Sequence, residues 1–327
     1  AAGQILPDRI QTLTDQPTDH SFDIRWIRQQ AQKYLFPDQG ILDELQFGFR
    51  NNSSTPRHTR IASGHTGAFT YQDNITASLT SDILAGHVQG PYTVPPIRPC
   101  RVHEVNVVVQ AKSSGGFKHR ITTDFSESAS PSSINMGIDL SQEPPHRMVR
   151  VLSFCLAIAI MLSSCPDAHV WSSDLVSAYR QCPKATSELW QQLRMWHGKF
   201  YIDLRTVFGD ASMVHKFTRV ANLMVFIIKA RQRQRQQAAE DNQQLSPNIQ
   251  AWVHARRHRL GPQQASLLWV AQYIDDCFGV SPDKETATVD FTDAVHVPER
   301  MGLPIAEDKK TPPTRVLDVL GANITLD

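Results

Sequence analysis

Residues 267–280 read Leu-Leu-Trp-Val-Ala-Gln-Tyr-Ile-Asp-Asp-Cys-Phe-Gly-Val, so Asp275 and Asp276 separate two apolar runs. This pattern predicts a strand, a turn that contains two acids, and a second strand. Short turns usually place Gly beside Asp, and none follows until Gly279. Two like charges about 4 Å apart repel by roughly 4 kcal/mol at an effective dielectric of ~20, and a divalent cation removes that cost. The stretch therefore favours a metal site over a plain hairpin turn.

A second acid fits the same interpretation. Asp174 ends a strand-like stretch, residues 169–173, and precedes Leu175. Taken alone, an Asp at such a point is typical of a helix cap. Paired with Asp275, it would hold two hard cations about 3.5–4 Å apart, the arrangement used for in-line phosphoryl transfer.

Length and composition restrict the class of protein. The chain has 327 residues, of which 41% are hydrophobic and 20% charged, which predicts a globular protein of two or three subdomains. Disordered, collagen-like and coiled-coil chains are excluded by this composition. The net charge of +1 gives no global basic bias, so any nucleic-acid contact must use local patches.

One such patch lies in residues 229–260, where Lys and Arg greatly outnumber Glu240 and Asp241. Two interpretations remain open for it, a solvated insertion and a nucleic-acid contact.

The cysteines and the longest apolar run indicate in which cellular compartment the protein works. Five cysteines show neither zinc nor redox spacing, which predicts free thiols in a reducing, intracellular compartment, the cytoplasm or the nucleus. The apolar run 151–165 is too short and too rich in serine to span a bilayer, so we expect a core helix and no membrane partner. The chain begins Ala-Ala and stops within strand-like sequence, as expected of a piece of a longer polypeptide.

Hydrophobic periodicity predicts the other elements. The predicted helices cover 24–35 with Asp19 as N-cap, 73–87, 144–159 and 211–231, and a polar stretch follows the last of them. Residues 102–110 and 117–125 predict a hairpin with a basic tip. Residues 89–96 predict a stiff, extended connector because they contain three prolines.

Motifs in a fixed order now indicate a family. Residues 174–180 (DLVSAYR) with 273–276 (YIDD) resemble the catalytic motifs of reverse transcriptases. Four further motifs fall in the order of that family: 117–121 with Asp124, 208–219, 302–304 with 309–310, and 320–321 with Ile324. The resemblance covers roughly residues 89–327. Residues 45–50 and 83–96 also resemble the lead-in of some retrotransposon polymerases, in particular the DIRS-like group.

The resemblance implies a fold and a domain organisation. The fold is α+β, a right-hand polymerase with fingers and a ferredoxin-like palm, and with the thumb absent. A helical N-terminal extension would cover 1–88, the fingers 89–168 together with 184–207, and the palm 169–327 with an insertion near 230–265.

The resemblance also implies roles for single residues. Asp174, Asp275 and Asp276 would bind Mg²⁺, with Mn²⁺ as an alternative, and Lys309 would protonate or polarise the leaving group. The candidates for binding the incoming nucleotide are Lys112, Lys118, Arg120, Tyr179 and Gly209. Leu320 and Gly321 would form the primer grip.

The implied function is that of an RNA-directed DNA polymerase, which extends a primer 3′-OH with dNTPs on an RNA or DNA template. The alternatives are an RNA-directed RNA polymerase and a non-catalytic, nucleic-acid-binding remnant of a polymerase. The ring of Tyr179 disfavours the first, because it would clash with a ribose 2′-OH. Asp210 and the pair His215-Lys216 depart from the family pattern of motif B.

Overall fold

The computed structural model describes residues 18, 22–62, 66–111, 115–127, 132–144, 148–260 and 267–326. The chain forms two compact units. The first unit comprises residues 1–20, 43–145 and 179–216, and the second comprises 21–42, 146–178 and 217–327. Three helices contain points where the chain passes from one unit to the other: α2 (Gly40–Phe47), α6 (Ala178–Gln181) and α7 (Met213–Asp241).

The first unit is built on a five-stranded sheet and a separate hairpin, counted over its described residues. The sheet has the order β1-β3-β7-β8-β2, in which the strands are β1 (Arg60–Ile61), β2 (Val88–Tyr92), β3 (Arg101–His103), β7 (Leu193–Trp196) and β8 (Lys199–Asp203). The hairpin consists of β4 (Val105–Ala111) and β5 (Phe117–Thr123), and the short helices of the unit are α3 (Thr66–Thr70) and α4 (Gln72–Leu84).

The second unit contains an antiparallel sheet, four-stranded over the described residues, with the order β11-β6-β10-β9. Its strands are β6 (His169–Asp174), β9 (Trp269–Tyr273), β10 (Asp276–Ser281) and β11 (Thr311–Thr314). Helix α7 with α8 (Pro247–Leu260) precedes β9, and α9 (Lys284–Met301) connects β10 to β11. This β–α–β–β–α–β order is the ferredoxin-like arrangement. The remaining elements are α1 (Ile24–Tyr34), α5 (Val151–Leu162) and the hairpin β12 (Val316–Val319) with β13 (Ala322–Thr325).

Residues 230–260 of the predicted polar insertion consist mainly of helices in the second unit, so the expectation that α7 ends near residue 231 is wrong. Helix α7 continues to Asp241, with Gln232 and Gln236 buried. Helix α8 then places Trp252 and Val253 in a core that also contains Phe278 of β10. The sequence did not predict these few buried apolar positions. It is rich in Gln and Arg there, and the spacing of the apolar residues gives no strong helical stripe.

Two other expectations differ from the structure. Residues 89–96 are not only a connector, since their first half belongs to β2, which pairs with β8. The N-cap of α1 is Asp23, whose carboxylate accepts from the Trp26 N–H at 3.0 Å; Asp19 lies outside the described residues.

The apolar run 151–165 forms a helix as predicted, but α5 begins at Val151 rather than near residue 144, since the backbone of Arg150 is extended. One face of this helix is open to solvent. Phe154, Ile158 and Met161 are buried, whereas Leu152 is 77% exposed and Leu156 is 59% exposed. In the described part of the chain, no helix combines the length and the apolar character needed to cross a membrane.

Candidate active site

The turn between β9 and β10 holds a backbone conformation that its sequence does not favour. Tyr273 and Asp276 are paired across the two strands, so Ile274 and Asp275 alone form the turn. Ile274 has φ +55°, in the left-handed region that β-branched residues rarely adopt. Such a conformation costs on the order of 1–3 kcal/mol and persists only where the surrounding structure imposes it. The turn, which lacks the usual glycine, therefore stores backbone strain at Ile274.

The antiparallel pairing of β6 with β10 brings the acids together. Asp174 lies directly opposite Asp276 in the register, and the carbonyl of Asp275 accepts from the Leu175 N–H at 3.0 Å. Asp174 is buried, and Asp275 and Asp276 are partly exposed. Asp174 thus lies beside two adjacent acids from a distant part of the chain, at one end of the sheet.

The acidic cluster (Asp174, Asp275 and Asp276) carries more negative than positive charge. Burial and the negative charges of Asp275 and Asp174 raise the pKa of Asp276 to about 6, although the nearby Lys309 opposes the shift. Burial lowers the pKa of the Lys309 ammonium, but its hydrogen bond to Asp174 and the three acidic charges outweigh burial, so its pKa is raised. Lys309 contacts the Asp174 carboxylate directly, which gives the cluster one cation for three acids.

The donor set suits Mg²⁺, which is bound by carboxylate oxygens together with water and substrate phosphates. Oδ1 of Asp174 is buried and has no hydrogen-bond partner among the described residues, so one oxygen of the cluster has unused acceptor capacity. No group of three His, Cys, Asp or Glu side chains in the described ranges forms a ready-made metal cage. That result is consistent with Mg²⁺, which commonly uses only one or two protein carboxylates.

A second set of predicted residues meets in the first unit. The guanidinium of Arg120 on β5 lies 5.6 Å from the ring centre of Phe208, and the Tyr179 ring lies 5.2 Å from the same ring. Arg120 is half-buried, and its Nε has no hydrogen-bond partner in the described part of the chain. The structure therefore brings Arg120 and Tyr179 together on one aromatic ring.

Gly209 belongs to this Phe208 cluster (Arg120, Tyr179, Phe208 and Gly209) for a steric reason. Its φ is +120°, and a Cβ at this position would lie 2.0 Å from the carbonyl oxygen of Thr123. The Thr123 N–H in turn donates to the Phe208 carbonyl at 2.9 Å. Only glycine permits this close approach of the loop to β5.

The other predicted site residues lie elsewhere. Lys118 is an exposed residue of β5, and Lys112 falls outside the described residues. Leu320 and Gly321 form the turn of the β12–β13 hairpin, with φ values of +50° and +77°.

Sequence reasoning missed Asn135, which holds the loop beside Phe208 in place. Its side-chain amide donates to the Gly209 carbonyl at 2.8 Å, and its side-chain oxygen accepts from the Ala211 N–H at 3.1 Å. A single Asn in a loop gives no signal in the sequence, because Gly209 and Ala211, the two residues it fixes beside Phe208, are more than 70 residues away.

The two departures from motif B have structural roles in the first unit. Asp210 is buried, accepts from the Ser212 N–H at 3.0 Å and pairs with Lys184 at 3.3 Å. Lys216 pairs with Glu143 at 2.9 Å. Both residues therefore stabilise the start of α7.

Comparison with known proteins gives similarity at the level of structure only. No protein-family profile matches the chain, and no curated protein matches it. A foamy viral protease–reverse transcriptase in complex with an RNA/DNA hybrid matches 96% of this chain and 37% of its own length, with a TM-score of 0.51 and 12% identity. The chain has a reverse transcriptase-like fold.

Two further structures of the foamy viral protein are similar at a slightly lower level. The protease–reverse transcriptase in complex with double-stranded DNA has a TM-score of 0.49 at 11% identity over 96% of this chain and 48% of that chain. The prototype foamy virus protein has a TM-score of 0.49 at 14% identity over 91% of this chain and 33% of that chain. The chain thus spans a third to a half of the proteins it matches.

The reverse transcriptase-like fold confirms the predicted mixed α+β class. The match does not bear on a retrotransposon or DIRS-like origin, which stays a prediction, as do the subdomain boundaries and the roles of single residues.

Proposed function

We propose that the protein is an RNA-directed DNA polymerase that extends a primer 3′-OH with dNTPs. The observation that carries this proposal is the placement of Asp174 opposite Asp276, with Asp275 in the adjoining turn, within a reverse transcriptase-like fold. We further propose that the second unit acts as the palm and that β4 and β5 belong to the fingers.

In this proposal Asp174 and Asp275 hold two Mg²⁺ ions, and Asp276 lies beside them. When bound, the ions supply charge neutralisation on the triphosphate and acidify the primer hydroxyl. The carboxylates position these charges and keep them at the end of a buried sheet. Lys309 is held at the cluster by Asp174, where its ammonium can donate a proton to the departing phosphate oxygen.

The Phe208 cluster of the first unit is assigned to nucleotide binding. The planar guanidinium of Arg120 has an unpartnered Nε–H, and such a group binds two phosphate oxygens at once. The Tyr179 ring, fixed against Phe208, would present a wall to the sugar and exclude a 2′-hydroxyl. Gly209 allows the backbone to approach the bound nucleotide.

A non-catalytic, nucleic-acid-binding remnant is the second candidate, and the contact between Lys309 and Asp174 favours it. In that protein the lysine would serve as a permanent counter-ion in place of a metal. Primer extension distinguishes the two functions.

The experiment is extension of a labelled DNA primer on an RNA template with dNTPs, with Mg²⁺ or with EDTA. We expect templated extension with Mg²⁺ alone. Asp275→Asn should abolish it, whereas Asp308→Asn, which removes an exposed acid of the second unit near Lys309, should leave it unchanged. Binding of primer–template without any extension would establish the remnant and overturn the polymerase assignment.

A further inference from the structure

The structure sorts six of the seven Lys and Arg residues of 229–260 into two sets. Three of them are neutralised by acids within the second unit: Arg231 pairs with Asp293 at 2.9 Å, Arg235 with Asp290 at 2.7 Å, and Arg257 with Glu240 at 2.6 Å. Lys229, Arg233 and Arg256 form no ion pair with any described residue. These three come from two different helices, α7 and α8, yet they line the same cavity.

This cavity has a volume of about 390 Å³ and lies wholly within the second unit. Apart from the three cations and Ser153, its described lining is apolar. The apolar lining includes Leu156 and Ile160 of the open face of α5 together with Trp252 and Trp269. Both the volume and the apolar lining are typical of a small-molecule site.

The charge in the cavity lacks compensation. No Asp or Glu is among its described lining residues. Burial and the neighbouring Arg233 lower the pKa of Lys229, and burial lowers the pKa of Arg256. The Nε of Arg256 is buried without a hydrogen-bond partner among the described residues, while its guanidinium lies 4.7 Å from the Trp252 ring centre. An anion would supply negative charge and hydrogen-bond acceptors to these cations, and an apolar group attached to it would cover the tryptophans.

We propose that this cavity binds an anionic amphiphile, a small molecule with one carboxylate or phosphate head on an apolar body. The head would contact Lys229, Arg233 and Arg256, since charge-assisted hydrogen bonds are the strongest available there. The body would lie on Leu156, Ile160 and the two tryptophans. A nucleic-acid strand fits less well, because its repeated phosphates call for a basic groove rather than a mainly apolar cavity. The proposal does not depend on the polymerase function.

Titration calorimetry of the full chain with sodium decanoate tests the proposal, with decanol as the uncharged match. We expect saturable binding of one decanoate per chain and at least roughly tenfold weaker binding of decanol. Arg233→Gln and Arg256→Gln should each weaken decanoate about tenfold. Arg231→Gln and Arg257→Gln are the matched controls, because their arginines lie on the same helices but are already paired, and they should bind as wild type does.

A steric variant checks the site without changing charge. Ala157→Phe adds a ring to the cavity wall and should block decanoate, while its thermal unfolding shows that it folds. The proposal is wrong if wild type shows no saturable binding, if decanol binds equally, or if Arg233→Gln and Arg256→Gln bind normally. Loss of primer–template affinity in those variants, without decanoate binding in wild type, would instead identify a nucleic-acid contact.

Discussion

Each unit contains a cluster of buried and partly buried carboxylates, and the two clusters differ in charge balance. In the first unit Asp82 and Asp203 share two cations, Arg180 and Arg194. Burial by itself would raise the pKa of Asp82, but its hydrogen bond with His87 and the two arginine charges outweigh burial and lower the pKa to about 2. In the acidic cluster of the second unit, three acids face one lysine, and the pKa of Asp276 is raised to about 6.

The difference shows that burial of an Asp does not by itself indicate its role. A carboxylate whose charge is fully compensated stabilises the fold, whereas one with a raised pKa beside like charges is a candidate functional site. Of the five predictions that follow, the first three test this distinction.

The largest expected effect separates activity from stability in the acidic cluster. Asp275→Asn should lower primer extension by roughly 10³-fold or more, about 4 kcal/mol of transition-state stabilisation, because it removes a metal ligand. The free energy of unfolding in EDTA should not fall, since the change relieves repulsion between like charges. Urea unfolding alongside the extension assay measures both. Extension at the wild-type rate would remove Asp275 from the metal site.

The compensated cluster should behave in the opposite way. Asp82→Asn should lower the free energy of unfolding at pH 7 by about 2–3 kcal/mol, because the folded-state pKa lies about two units below the ordinary value. The stabilisation is present above about pH 4 and is lost as the pH falls towards 2, so the two proteins should converge in acid. Urea unfolding between pH 2 and 7 measures the difference. A gap that stays constant across this range would contradict the charge argument.

Asp276→Asn should change the free energy of unfolding at pH 7 in the opposite direction, by raising it. The raised pKa of Asp276 means that its contribution is favourable below about pH 4 and is lost as the pH rises through 6. In EDTA the variant should therefore exceed wild type in unfolding free energy by about 2 kcal/mol at pH 7 and match it near pH 4. A variant that is less stable than wild type at pH 7 would show that Asp276 is compensated like Asp82.

A smaller effect concerns substrate choice in the first unit. Tyr179→Ala should raise incorporation of GTP relative to dGTP by at least tenfold, about 1.4 kcal/mol, because it removes the wall against the 2′-hydroxyl. Tyr179→Phe is the matched control and should keep the discrimination, since the ring supplies the wall. Single-nucleotide kcat/KM values decide the matter. Equal use of both nucleotides by wild type would favour the RNA polymerase alternative.

The smallest expected effect comes from the strained turn. Ile274→Asn should raise the free energy of unfolding by about 1 kcal/mol, because Asn tolerates the left-handed region far better than a β-branched residue. Ile274→Ala, which keeps a Cβ but removes the branch, should gain less. Destabilisation by Asn would mean that packing of the Ile274 side chain outweighs the backbone strain.

The sequence predicted the acidic end of the sheet because strand periodicity and motif order act together there. Asp174 and Asp275 each follow an apolar strand-like run, so two paired strands suffice to bring them close. The partner of Asp174 could not be predicted in the same way. The contact with Lys309 depends on the turn after Ile305 and on the bond from the Ala306 N–H to the Asp174 carbonyl, at 2.8 Å.

The sequence was least informative where charged residues form ion pairs with buried partners. Arg235 lies in a strongly polar stretch, yet it pairs with the fully buried Asp290 of α9. Such an ion pair leaves no apolar periodicity, so the sequence favours only a solvated insertion or a nucleic-acid contact for this stretch and gives no sign of burial. Conversely, the apolar Leu152 of α5 was expected in the core and is exposed, because composition indicates a helix but not which of its faces is covered.

Helix α8 has a consequence for how such a chain can change during evolution. The resemblance to reverse transcriptases predicts that its region is an insertion, and Trp252 is packed in the core of the second unit. Truncating a buried Trp to Ala typically costs about 3–5 kcal/mol, a large share of the stability of a domain. A segment that was acquired in one step could then be lost only after other residues had refilled the space. Lineages that carry α8 should retain it even while its surface charges change freely.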